Sequence, residues 1–292
     1  MSATTLTPVF IPEGRDLSFG GVLRSEWIKL RTVRSTWWCF AILIALTIAL
    51  GIQMSSALTF YGVEGVIPQV AVQAMAVYGI TVSTDFGALI VSTLGVLIIA
   101  GEYGTGMIRS TLTAVPKRLP ALLAKGLVFG SATFVVSVLA FGLTVPLSVA
   151  FFAGNGVEVD LGDTRYWLSL LGGVGYLVFV GLIAFGLGAI IRNTAGGIAV
   201  ALGLNLAAPL VLGAVSGITQ APWLQNVQYF LPSNAGRVLF GYPANFADPF
   251  APYPPATDGI WVMDAWQGGL VLVAWVVVLF SVAAVLLKRR DA

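Results

Sequence analysis

Long apolar runs separated by short charged clusters set the pattern of this chain. No charge falls between Arg34 and Glu64, and further uncharged runs cover residues 65–84, 86–101, 126–157, 166–191, 193–236 and 265–287. A helix needs about 20 apolar residues, at 1.5 Å of rise each, to cross a bilayer. The pattern predicts six crossings at about 37–57, 79–101, 124–151, 167–190, 195–217 and 265–287, the second absorbing Asp85. The expected fold is an all-α membrane protein.

Ahead of the first crossing, SFGGVLRSEWIKLRTVR (residues 18–34) spaces Leu23, Trp27, Leu30 and Arg34 at i, i+4, i+7 and i+11, flanked by Arg24, Lys29 and Arg31. That spacing predicts a basic amphipathic helix lying in the membrane interface, with Trp27, Trp37 and Trp38 at headgroup level. The same residues also suit a plain topological anchor. Residues 1–17 show no clear periodicity and are expected to form a loose tail. The apolar run that follows is too long for the core of a cleaved leader and stays as the first crossing.

Composition supports the bilayer reading and narrows the chemistry. Charged residues make up 10% and hydrophobic residues 58%, with a mean hydropathy of +0.92, whereas soluble domains carry about 25% charged residues. There is no histidine and only one cysteine, Cys39. Histidine-based triads, imidazole bases, intrachain disulfides and multi-cysteine metal sites are therefore excluded. No G-x-x-x-x-G-K-[ST] run occurs, since none of Lys29, Lys117, Lys125 and Lys288 both follows a glycine and precedes Ser or Thr. No catalytic, cofactor or metal residue is expected on this chain, and no nucleic-acid partner.

Charge placement orients the crossings. Of the 15 basic residues, all but Arg165 and Arg237 fall on the side of the termini. The opposite side holds Glu64, Glu158, Asp160, Asp163, Asp248, Asp258 and Asp264. The positive-inside rule then makes both termini cytoplasmic.

The connection between the second and third crossings, GEYGTGMIRSTLTAVPKRLP (residues 101–120), is longer than the roughly 2–8 residues usual between bundled helices. A helical run from Glu102 to Ala114, stopped by Pro116, would present Met107, Ile108, Leu112 and Val115 as an apolar edge framed by Arg109, Lys117 and Arg118. A solvated basic loop is the alternative. Here Glu102-Tyr103, Thr105-Gly106, Ile108-Arg109 and Ala114-Val115-Pro116-Lys117-Arg118 resemble the bacterial ABC-2 type permeases, membrane subunits of type-2 ABC exporters. SEWIKLRTVRSTWW (residues 25–38) and Leu231-Pro232-Ser233-Asn234 resemble the same family.

The resemblance implies that residues 102–115 form a coupling helix docking on an ATPase, carried by Glu102, Tyr103, Thr105, Met107, Ile108, Arg109 and Leu112. It implies that residues 18–34 form the connecting helix beside it, with Leu23, Trp27, Leu30 and Arg31. It further implies a single permease domain over residues 18–292 in a bacterial cell membrane. That domain would pair with a second copy or a related permease, with ATP and Mg held by the soluble ATPase.

Asp85 is the one acid within an apolar run, and two readings stand: a polar site for a proton or cationic substrate, or an acid that snorkels or caps a broken helix. Gln53 and Asn205 are deeper polar groups suited to bonds between helices. Gly126 with Gly130, Gly197 with Ala201, and Gly213 with Gly217 are spaced for close helix approach, within the chain or between copies. The segment 218–264 is rich in proline and aromatics, and PSN followed by AGRVLF reads as a short capped helix in an outer gate or a passive lid. A transporter working alone on an ion gradient is the competing function; it would favour midplane charges and an internal repeat.

Overall fold

Six helices are long and apolar enough to cross a membrane: Arg34–Ala57, Gln69–Gly104, Leu119–Gly154, Thr164–Ile191, Thr194–Thr219 and Ala265–Arg289. The computed structural model describes residues 18–60, 68–104, 106, 118–243 and 259–290, and among these every regular element is helical. In chain order they are α1 (Phe19–Thr32), α2 (Arg34–Phe60), α3 (Gln69–Thr81), α4 (Ser83–Gly104), α5 (Arg118–Gly154) and α6 (Thr164–Ile191). They continue as α7 (Thr194–Leu202), a π-helical turn (Gly203–Ala207), α8 (Ala208–Thr219), α9 (Pro222–Gln228), α10 (Pro232–Phe240) and α11 (Ala265–Arg290).

The second crossing reaches further back than the pattern predicts, beginning at Gln69 as α3 and breaking at Val82 before α4. The break has a local cause in the sequence TVST. The Thr81 hydroxyl donates to Val77 O, Ser83 to Ile80 O and Thr84 to Thr81 O. These bonds compete with the backbone ladder of the helix. The fifth crossing is interrupted in a similar way. Pro209, at the start of α8, has no N–H and its ring opposes the carbonyl of residue 205, and the preceding turn widens into the π form.

α4 and α6 form the centre of the bundle. Gly95 makes their contact possible, because a Cβ there would lie 2.5 Å from Gly181 O and 3.1 Å from Phe185 N. More than half of the most apolar stretch of these two crossings is buried, against 6% for Thr194–Thr219. Around that contact Val91, Leu94, Leu177, Val180 and Ile183 are fully enclosed. The small-residue pairs mostly pack within the chain: Gly126 abuts the Phe280 ring, Gly130 meets Leu182 and Gly197 meets Val96. Gly217 faces open space.

In the segment 218–264, α10 lies against α6 and α11. Gly268 lets its backbone in, since a Cβ there would stand 2.5 Å from Ala235 O. The short helix read from PSNAGRVLF is present, but it starts at Pro232 after Leu231 and carries no side-chain cap, so Ser233 and Asn234 lie inside its first turn rather than capping it. Asn226 holds the returning chain, donating through Nδ2 to Gly259 O and accepting from Trp261 N. The interhelical polar bond near Gln53 is made by its neighbour: Gln53 is exposed, while the buried Ser55 and Ser148 hydroxyls lie 2.7 Å apart and tie α2 to α5.

Candidate functional site

Four charged side chains meet where α1, α4 and α5 converge. Lys125, near the start of α5, donates to Glu26 Oε2 at 2.6 Å and to Glu102 Oε1 at 2.7 Å. Lys29 donates to Glu26 Oε1 at 2.8 Å and reaches Glu102 Oε1 at 3.4 Å. Glu26, Glu102 and Lys125 are buried, while Lys29 keeps about a third of its side chain exposed. Two carboxylates and two ammonium groups balance, so the cluster carries no formal net charge. Each helix supplies its part by simple geometry: Glu26 and Lys29 stand three apart on one face of α1, and Glu102 sits in the last turn of α4.

Burial draws the Lys29 ammonium toward deprotonation, but the hydrogen bond to Glu26 and the charges of Glu102 and Glu26 outweigh it. Its pKa lies above the usual 10.5. Next to Glu102, the Tyr103 ring lies under the Arg192 guanidinium, 4.9 Å from ring centroid to carbon. Arg192 caps α6 in the left-handed conformation, its N–H bonded to Gly188 O. The end of α4 is thereby tied to α1, α5 and α6.

The residues expected to form the coupling helix divide at this point. Glu102 and Tyr103 close α4, whereas Thr105, Met107, Ile108, Arg109 and Leu112 lie outside the described residues. On α1, Leu30 is buried, Leu23 packs against the core, and Trp27 and Arg31 face outward. The inward face runs through Val22, Glu26 and Leu30. It differs from the expected stripe because Glu26 turns in to meet Lys125.

Glu26 and Lys125 were not singled out by spacing. Their signal is the presence of one acid on an otherwise basic α1 and one lysine just inside an apolar helix.

A second polar cluster lies at the opposite end of the bundle. Asp85, in the first turn of α4 just past the Val82 break, receives Arg237 Nη2 of α10 at 3.1 and 3.2 Å on its two oxygens. Both side chains are roughly half exposed, and a cavity of about 250 Å³ lies beside them, lined by Tyr78, Thr81, Phe240 and Tyr242 among others. The Tyr242 hydroxyl donates to Asp163 Oδ2 at 2.6 Å. Burial, that bond and the Asp163 charge push its pKa well above the ordinary phenol range. Gln69 and Gln73 of α3 donate to the carbonyls of Glu158 and Asp160. Asn205 lies in the π turn, its Nδ2 donating to Ser92 Oγ at 3.3 Å and to Ala201 O at 3.0 Å.

The profile of the family described as ABC-2 family transporter protein matches residues 21–292, nearly the whole chain. The chain belongs to the ABC-2 transporter family. It is a multi-pass membrane protein and the permease component of an ABC transporter, a membrane part that is not itself the ATPase. A comparison with curated proteins returns no match. In this permease the charged cluster flanks both ends of the segment between α4 and α5, and the Asp85–Arg237 pair lies at the far end of the same helix, α4.

Proposed function

We propose that this permease is the membrane subunit of an exporter in a bacterial cell membrane, with both termini cytoplasmic, and that it works as a dimer with a second copy or a related permease. A separate soluble ATPase, holding ATP and Mg, docks on residues 102–115 and drives the two subunits between inward- and outward-open states. Residues 18–292 act as one domain, with the interfacial helix 18–34 beside the docking segment.

The observation that carries this reading is the Glu26–Lys29–Glu102–Lys125 cluster. It joins α1 to the last turn of α4 and the first turns of α5, so a force applied to the segment between them reaches three helices together. A cluster with buried, mutually paired charges resists independent motion of its members, because separating them strands a charge in an apolar setting.

The test is co-purification of the tagged chain in mild detergent, comparing the wild type with a Met107→Asp, Arg109→Glu double variant. Retention of an ATP-binding partner by the wild type and its loss from a stably folded variant supports docking at this segment. A wild type that brings down no ATPase under several mild conditions overturns it.

A further inference from the structure

A cavity of about 320 Å³ opens between α1, the start of α2, α4 and α5, directly against the charged cluster. Its polar side is formed by Glu26, Lys29, Glu102, Lys125 and Thr36. Its apolar walls are Leu97 and Ile98 of α4 with Val128 and Phe129 of α5. Its size falls at the small end of the roughly 300–1,000 Å³ typical of small-molecule sites.

Two polar atoms on residues lining this cavity are buried and, among the described residues, have no hydrogen-bond partner: Glu102 Oε2 and Thr36 Oγ1. Glu102 is 7% exposed and Thr36 is 4% exposed. Three of the four carboxylate oxygens in the cluster are engaged by lysines, leaving Glu102 Oε2 as the remaining acceptor. A carboxylate oxygen only accepts, so its complement is a donor. Since the cluster is already balanced, a cation or anion bound beside it would add a net charge at low dielectric, whereas a hydroxyl adds none.

We propose that this cavity binds an uncharged, single-chain amphiphile through a hydroxyl headgroup, of the monoacylglycerol class. Small rotations of the Glu102 carboxyl and the Thr36 side chain let Oε2 accept from the hydroxyl and Oγ1 accept from or donate to it, and the upper part of the chain lies along Leu97, Ile98, Val128 and Phe129. Trp37 and Trp38 follow Thr36 directly and are exposed, which suits a mouth at headgroup level where such a ligand is delivered by the bilayer. The occupant fills the gap between α1 and α4, so it props the connection that the charged cluster makes. This site stands apart from the docking of an ATPase and does not depend on it.

The experiment uses the full chain in phosphatidylcholine nanodiscs, which contain no hydroxyl-bearing detergent. A monoolein analogue carrying a diazirine on its acyl chain is photolysed, and the labelled peptides are mapped by mass spectrometry. The expected result is labelling within residues 97–102 or 125–129, displaced by excess monoolein but not by oleate or oleylamine. Ile98→Trp fills the cavity and leaves the four charges in place; it should lower displaceable labelling at least about tenfold at unchanged thermal stability. Thr36→Val should lower it roughly fivefold, as expected for one hydrogen bond. Labelling that Ile98→Trp leaves unchanged, or that oleylamine displaces as well as monoolein, overturns the proposal. So does the absence of displaceable labelling in the wild type, which assigns the two unpaired atoms to ordered water alone.

Discussion

Lys125 is the residue on which the inner cluster turns, because among the described residues it lies within 2.7 Å of both buried carboxylates while Lys29 stands 3.4 Å from Glu102. Replacing it with Met leaves two buried carboxylates sharing the Lys29 ammonium, an uncompensated buried charge expected to cost about 3–5 kcal/mol. Replacing the whole group together, with Glu26→Gln, Lys29→Met, Glu102→Gln and Lys125→Met, should recover most of that loss, since buried ion pairs often add little net stability over a neutral substitute. Thermal unfolding of the three forms in one detergent checks both statements.

Lys29 gives a pH signature of the same cluster. Its folded pKa is raised above 10.5, so the folded state holds the proton more tightly than the unfolded chain. Its contribution is fully present below 10.5 and is lost as pH rises through the higher folded value. The stability difference between wild type and Lys29→Met should therefore stay constant from neutral pH to about 9 and shrink only in strong alkali. The pairing of Lys125 with Glu26 and Glu102 was not legible in the sequence. Glu26 and Glu102 lie 99 and 23 residues from Lys125, and no spacing rule links such positions until the helices are packed.

The helices themselves were largely legible, because a bilayer forces every spanning backbone to satisfy its own hydrogen bonds and an uncharged run of sufficient length has few alternatives. What the pattern misplaced were the interruptions and the parts that pack on other helices. α3 was absorbed into an apolar run that reads equally well as a connection, and the Val82 break depends on three hydroxyls whose bonds depend on local geometry. The wedge of α10 between α6 and α11 was not readable, although its helix was, because its fit rests on backbone contact at Gly268. A side chain there meets Ala235 O and Leu239 N rather than a flexible tip. Gly268→Val should cost at least about 1–3 kcal/mol and speed limited proteolysis within 218–264, which a time course in detergent would show.

At the scale of the whole molecule, the permease ties its helices by charge at two ends, and the orientation proposed for it, with cytoplasmic termini, rests on where its basic residues lie. With Cys39 replaced by Ala, a cysteine at Leu161 should react with a membrane-impermeant maleimide in intact cells. A cysteine at Thr32 should react only after the membrane is opened. The reverse pattern would turn the permease over in the membrane.

The two ties also differ in their exposure to water, and this separates their response to dissolved ions. Lys125 and its carboxylates are buried, whereas Arg237 and Asp85 retain 63% and 45% of their side-chain exposure. Counter-ions screen exposed charges over about 10 Å at 0.1 M salt and over about 3 Å at 1 M. Rising ionic strength therefore weakens the hold of α10 on the Val82 break while leaving the junction of α1 and α4 intact. In effect, the salinity of the medium bathing the α10 end adjusts how readily that end loosens.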